Sequence, residues 1–233
     1  SLGFPIQLSG DKKLGVIFAM NYANTRRYSE GKINTFDGSG QVAKLSDQIF
    51  LQNISTGGIF NLNYVGRKTQ ISLRNLLNMN TDNNTVLRTG TGNIGDATEV
   101  NNTANLINYN RLYNGIVSLK QILGNNFMTL NASLNYAGIR RNVPDYRIVS
   151  YTKTPDDEAF RLALGDFFNT STGRFASNLD ETLSGGTLEL AKSLDTKLIK
   201  TEVKAGFFLQ NRVRSFSSRS FVYNGAQPSL TYN

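Results

Sequence analysis

The chain contains no cysteine, no histidine and no tryptophan in 233 residues, and only four prolines. Without cysteine there is no disulfide and no thiolate metal site. Without histidine the commonest general base, the commonest metal ligand and every Ser-His or Cys-His nucleophile pair are gone. No run of about 20 apolar residues is present, which excludes a helical membrane span. Charge is sparse at 18% and the hydrophobic share is a low 39%. The aromatic content still argues against a disordered chain, which needs few aromatics and a high net charge. The net charge is +8, but the cations lie singly or in pairs such as Arg26-Arg27, Arg67-Lys68 and Arg140-Arg141. They build no basic helix or dense patch, so nucleic acid is not an expected partner. The opening residues at Ser1 have neither the positive n-region nor the apolar h-region of a signal peptide. The expectation is an internal piece of a longer exported protein.

Asn, Ser, Thr and 21 Gly fill the gap, and they alternate with apolar residues over long stretches. Met128, Leu130, Ala132, Leu134 and Tyr136 share one parity, while Thr129, Asn131, Ser133 and Asn135 share the other. Side chains on a strand alternate between faces, so such a stretch has one apolar and one polar side. The same pattern recurs over 14–28, 47–65, 69–80, 103–121, 179–194 and 198–216. Soluble strands have a mode of about 5–6 residues. Strands this long and two-faced suit a wall with lipid on one side and water on the other. In the last strand Lys204, Arg212 and Arg214 fall on one parity, opposite Val203, Ala205, Phe207, Leu209 and Val213. A cation on the lipid face near the bilayer centre costs about 2–4 kcal/mol, and this parity avoids that cost.

The predicted fold is therefore all-β, an antiparallel transmembrane β-barrel segment of about seven to eight strands occupying the whole chain, with no plug domain. Seven strands cannot close an even-numbered barrel, so either a larger barrel or a minimal one completed by a partial strand at 1–8 or 217–232 is implied. Tight connections near Gly66, Gly124 and Asp195 alternate with long ones at 29–46, 81–102 and 142–178. Outer-membrane barrels sort short periplasmic turns from long extracellular loops in this way. Within the third loop, Ala159, Leu162, Ala163 and Phe167 follow Asp156-Asp157-Glu158 at helical spacing, predicting a short helix over 155–168. A bulge at Gly185-Gly186 would bring Leu183 and Leu188 to one face. Arg111 breaks the parity of its strand and is expected above the bilayer.

Few residues suggest chemistry. Gly90-Thr-Gly92-Asn-Ile-Gly95 has the form G-x-G-x-x-G but lacks the strand and helix that a phosphate cradle needs, and reads as a flexible loop. Asp156-Asp157-Glu158 reads as a solvated cluster or helix start rather than an oxygen cage. Asp180 and Glu181, adjacent on a strand, point apart and cannot flank a glycosidic bond. Five Asn-x-Ser/Thr triplets, at Asn53, Asn83, Asn101, Asn131 and Asn169, are attributed to composition. No catalytic, cofactor-binding or metal-ligating residue is expected, and no cofactor. The lumen-facing candidates are Arg74, Asn131, Lys204, Arg212 and Arg214, either as an anion-selective lining or as cations facing water or plug carboxylates. Outward Tyr22, Tyr64 and Tyr136 fit an interfacial girdle.

The stretch Lys204-Ala-Gly-Phe-Phe-Leu-Gln-Asn-Arg-Val-Arg-Ser-Phe, followed by Arg219, Phe221 and Tyr223, resembles a recurring segment of Bacteroidetes-type TonB-dependent outer-membrane receptors. Gly173 to Glu181, Pro144 to Arg147, Arg74 to Asn78 and Leu87 to Gly90 resemble further segments in the same order. The resemblance implies part of a large plugged barrel that imports a nutrient through the bacterial outer membrane. It also implies lipid as a partner, a TonB-type coupling partner acting through a plug outside these residues, and surface lipoproteins or other subunits on the long loops. The alternatives are a docking barrel subunit of a secretion or assembly complex, and a soluble extracellular β-domain that binds glycans.

Overall fold

The computed structural model describes residues 1–38, 40–94, 97–124, 128–164, 172–195 and 200–223. Nine strands run through them: β1 (Leu2–Gln7), β2 (Lys13–Asp37), β3 (Gly40–Val65), β4 (Thr69–Ile94), β5 (Ala97–Leu123), β6 (Met128–Lys153), β7 (Arg161–Leu162), β8 (Gly173–Asp195) and β9 (Lys200–Val222). They form one antiparallel sheet in the order β1-β2-β3-β4-β5-β6-β8-β9, with the two-residue β7 also paired to β6. The sheet is not closed, and β1 and β9 are its two ends. The all-β class and the seven long strands agree with the alternation, and β1 supplies the partial strand expected near the first residues.

The long strands have 23 to 27 residues, roughly 75–90 Å each. This corrects the long loops. Residues 29–37 and 40–46 are strand, as are 81–94, 97–102, 142–153 and 173–178. Of the third segment's described residues, 154–160, 163–164 and 172 lie outside strands. The helix predicted over 155–168 is absent among the described residues. Residues 154–160 form turns and bends before β7, and 165–168 lie outside the described residues. Asp157 closes that turn by accepting from the Thr154 N–H and hydroxyl, and it pairs with Arg161 at 2.8 Å. Local side chain-to-backbone bonding has won over helical spacing.

Register ties the separate alternations into two continuous faces. Leu14, Tyr64, Ile71, Leu119, Ala132, Leu188 and Phe207 are consecutive cross-strand partners. Two residues along, Val16, Leu62, Leu73, Val117, Leu134, Gly186 and Leu209 form the next row. Phe4 and Ile6 of β1 join this side opposite Val16 and Leu14. We call it the Leu14 face, and the other the Arg74 face. A one-residue slip in any pair would break the continuity of both. Pairing runs unshifted through Gly185 and Gly186, so the bulge expected there is absent. Leu183 lies on the Arg74 face, opposite Ala137 and Arg212.

Among the described residues no second layer covers this sheet. The accessible surface is 16065 Å², against about 10,500 Å² for a compact protein of this mass. Among the described residues the buried aliphatics are Leu45, Val100, Val143 and Ala191. Phe18, Met20, Leu134, Phe207 and Leu209 are all exposed. A sheet with a continuous apolar face is stable only when another layer or an apolar medium covers it.

The two faces exchange character partway along the strands. Toward the Asp37–Gly40 ends the Leu14 face becomes polar, with Arg26, Glu30, Gln48, Gln52, Asn83, Thr85, Thr103 and Arg147, although Phe50, Leu87, Ile107 and Val149 remain on it. The Arg74 face becomes apolar there. Ile49, Val86, Ala104 and Ile148 are successive partners in one row. Leu51, Asn84, Leu106, Tyr146 and Phe175 form another. Amides mark the changeover, where Asn53 donates to Asn80 at 2.8 Å and to Asp82 at 2.6 Å. The polar composition that suggested loops is this exchange of sides within unbroken strands.

Pro144 sits where the β5–β6 and β6–β8 registers both shift. A proline without an N–H suits a bulge. Beyond it Ser150 falls on the Arg74 face beside Asn102, to which it donates at 2.6 Å, and Asp47 takes both arms of Arg88 at 2.7 and 2.8 Å. Gly90 lies between Leu45 and Val100 at φ +150°, and a Cβ there would stand 2.2 Å from the Lys44 carbonyl oxygen. Gly90→Ala is expected to cost about 1–3 kcal/mol locally, read as faster amide exchange at Leu45 and Val100 with exchange near Leu73 unchanged.

Candidate functional site

The register places Arg74, Asn131, Lys204, Arg212 and Arg214 on the Arg74 face, but it does not bring them to one point. Arg212 and Arg214 reach Glu181 at 2.8 and 3.7 Å, and Lys204 pairs with Glu202 at 3.1 Å. Asn131 donates to Glu189 at 3.0 Å. Arg74 lies four strands away from Arg212 and Arg214 in the sheet order and donates to the Ser118 hydroxyl at 3.5 Å. Lys204, Arg212 and Arg214 are thus each paired in place, the two arginines sharing Glu181, whereas Arg74 makes no ion pair among the described residues.

Sequence reasoning missed the feature beside Arg74. Ser72, Ser118, Ser133 and Thr187 are successive partners across β4, β5, β6 and β8. The Ser133 and Thr187 hydroxyls are bonded at 2.6 Å. One row toward the Gly66 turn come Gln70, Lys120, Asn131 and Glu189. Together with Arg74 these groups, Glu189 excepted, line a concavity of about 310 Å³. Each hydroxyl is an unremarkable member of its own strand, and no spacing along the chain shows that four of them stand abreast.

Charge also sorts by face and depth. From Asp180 to Lys192 the Leu14 face of β8 carries Thr182, Ser184, Gly186, Leu188 and Leu190, without a charge. That interval is about 40 Å of strand. The Leu14 face of β9 is likewise uncharged from Val203 to Ser217. Across the same cross-strand rows the Arg74 face carries Lys13, Arg74, Lys120, Glu181, Glu189, Lys204, Arg212 and Arg214. Arg111 stands at the rim of the uncharged belt, opposite Arg140, which pairs with Asp180.

The fold disperses the residues of the other motifs. Asp180 and Glu181 bond on opposite faces, to Arg140 and to Arg212. Gly90 and Gly92 belong to β4, Gly95 lies outside the described residues, and the next element is β5 rather than a helix. No group of three potential metal ligands occurs among the described residues. Asp157 is held below the usual carboxylate range by the Thr154 bonds, with Arg161 adding to the effect.

Beyond the belt, Asp145 is clamped by Arg174 at 2.8 Å and Arg147 at 2.9 Å. The Arg174 hydrogen bond is the largest cause of a lowered Asp145 pKa. The clamp's contribution is therefore present above the ordinary aspartate value and lost as pH falls through the depressed one. Amide exchange around Tyr146 and Phe175 should accelerate only below about pH 4. Asp145→Asn should exchange fast at neutral pH as well and lose that acid step.

No protein-family model matches the chain, and no curated protein matches it.

Proposed function

We propose that this chain is part of the wall of a bacterial outer-membrane β-barrel, from a nutrient importer of the TonB-dependent kind. In this reading the Leu14 face meets lipid and the Arg74 face meets the aqueous lumen. The observation that carries it is the uncharged belt on one face, about 40 Å of strand or about 28 Å in height at a barrel tilt near 45°, backed across the same rows by eight charged side chains on the other. A barrel wall needs that asymmetry, because a lipid-facing charge is costly and a lumen-facing one is solvated. The exchange of faces supports the same reading. Past the outer leaflet the outward side is in water and turns polar. Open edges at β1 and β9 fit a segment whose neighbours complete the ring, since lipid tolerates no unpaired strand edge. Import, energy coupling through a plug, and lipoprotein contacts rest on the resemblance of the β8–β9 segments.

The lack of native cysteine makes the wall testable. Single cysteines at each position from 203 to 214 are labelled in intact outer membranes with a water-soluble maleimide. Even positions such as Gln210→Cys should react and odd ones such as Leu209→Cys should not. Uniform or reversed reactivity overturns the wall. Import is tested by growth of a deletion strain on a nutrient panel. One nutrient should be lost and then restored by the gene only when energy coupling is intact. A deletion strain that keeps every nutrient overturns import.

A further inference from the structure

We infer that the hydroxyl row between Arg74 and Lys120 is an oxyanion site on the Arg74 face, taking a carboxylate, sulfate or phosphate group. The inference rests on the lumen reading only for access from water. Its basis is the difference between two sets of cations on one face. Lys204, Arg212 and Arg214 each have a carboxylate within 4 Å. Arg74 and Lys120 make no ion pair among the described residues.

Geometry supplies the rest. Arg74 is one row to one side of Ser72 and Ser118, and Lys120 is one row to the other. Their Cα atoms are about 14 Å apart along the sheet. Two long cationic side chains can close that gap on a single group, and Arg74 already leans to Ser118. The hydroxyls of Ser72 and Ser118 lie on the floor of the concavity as donors. Donors joined by two cations bind an oxyanion through charge-assisted hydrogen bonds. Glu189 is two strands away from Lys120 in its row, and its carboxylate is held by Asn131. The concavity is therefore cationic at β4–β5 and neutral at β8, where Thr187 lines it and Glu189 stands outside it. An oxyanion seats at the first end, and the Ser133 and Thr187 hydroxyls at the second suit a hydroxyl on the same molecule.

The anion has two sources, a diffusing solute or a carboxylate of the same protein. The test uses the full-length protein in detergent, with folding checked by heat-modifiable electrophoretic mobility. Thermal unfolding is followed in sulfate against chloride at equal ionic strength. For a diffusing solute, sulfate raises the midpoint, and Arg74→Gln and Lys120→Gln each weaken apparent sulfate affinity on the order of tenfold. Arg74→Lys restores part of the affinity, and Arg26→Gln on the other face changes nothing. For an internal carboxylate, sulfate has no effect, and carbodiimide joins Lys120 to a carboxylate, a cross-link that Lys120→Arg abolishes. The inference is overturned if the sulfate effect survives both Gln substitutions, or if neither the sulfate effect nor the cross-link is found. Recovery of the protein without detergent would remove the lumen reading and leave both arms of this test valid.

Discussion

Replacing Leu209 by arginine is expected to cost about 2–4 kcal/mol, while arginine at the adjacent Gln210 costs little. Leu209 stands in the row with Val16 and Leu134, in the middle of the uncharged belt. Gln210 projects to the face that already carries Arg212 and Arg214. Total stabilities of about 5–15 kcal/mol make the first change a large fraction of what holds a protein folded. Urea titration of each variant in lipid vesicles, read by heat-modifiable mobility, should give a lower midpoint for Leu209→Arg alone. Equal midpoints would mean that no apolar medium covers this side.

A single alanine inserted between Phe208 and Leu209 should have the largest effect. It moves Arg212 and Arg214 to the Leu14 face and Leu209 and Val213 to the Arg74 face. Two cations in lipid cost roughly 4–8 kcal/mol, comparable to the whole stability. A two-alanine insertion at the same point restores parity and should recover most of the folded band. If both insertions fold equally well, the strand absorbs the extra residue as a bulge and face identity is not what holds β9 in register.

The alternation of β2 to β9 was legible because period two needs only neighbours along the chain. Parity alone placed Arg74, Asn131, Lys204, Arg212 and Arg214 on one side. Three things were not legible. The upper strands read as loops because the apolar parity switches sides near Asn53, Asn80 and Asn108, and a switched pattern looks like none. Pro144 read as a loop residue because proline is rare inside strands, and only pairing shows that it occupies an irregularity. The partnership of Ser72, Ser118, Ser133 and Thr187 depends on long-range register, which turn lengths and strand offsets set jointly. The surplus bulge at Gly185-Gly186 came from requiring Leu183 to be apolar-facing, when a leucine among polar neighbours needs no explanation.

The strands of the β2–β3 and β4–β5 hairpins continue well past the amide rows. The fourteen residues from Asn24 to Asp37 run about 45 Å along the strand from the changeover, or about 32 Å in height at a tilt near 45°. In the proposed orientation these ribbons overtop the bilayer surface like a parapet. A large probe such as an antibody or a phage fibre meets their crests first, and small solutes alone slip down between them to the lipid line.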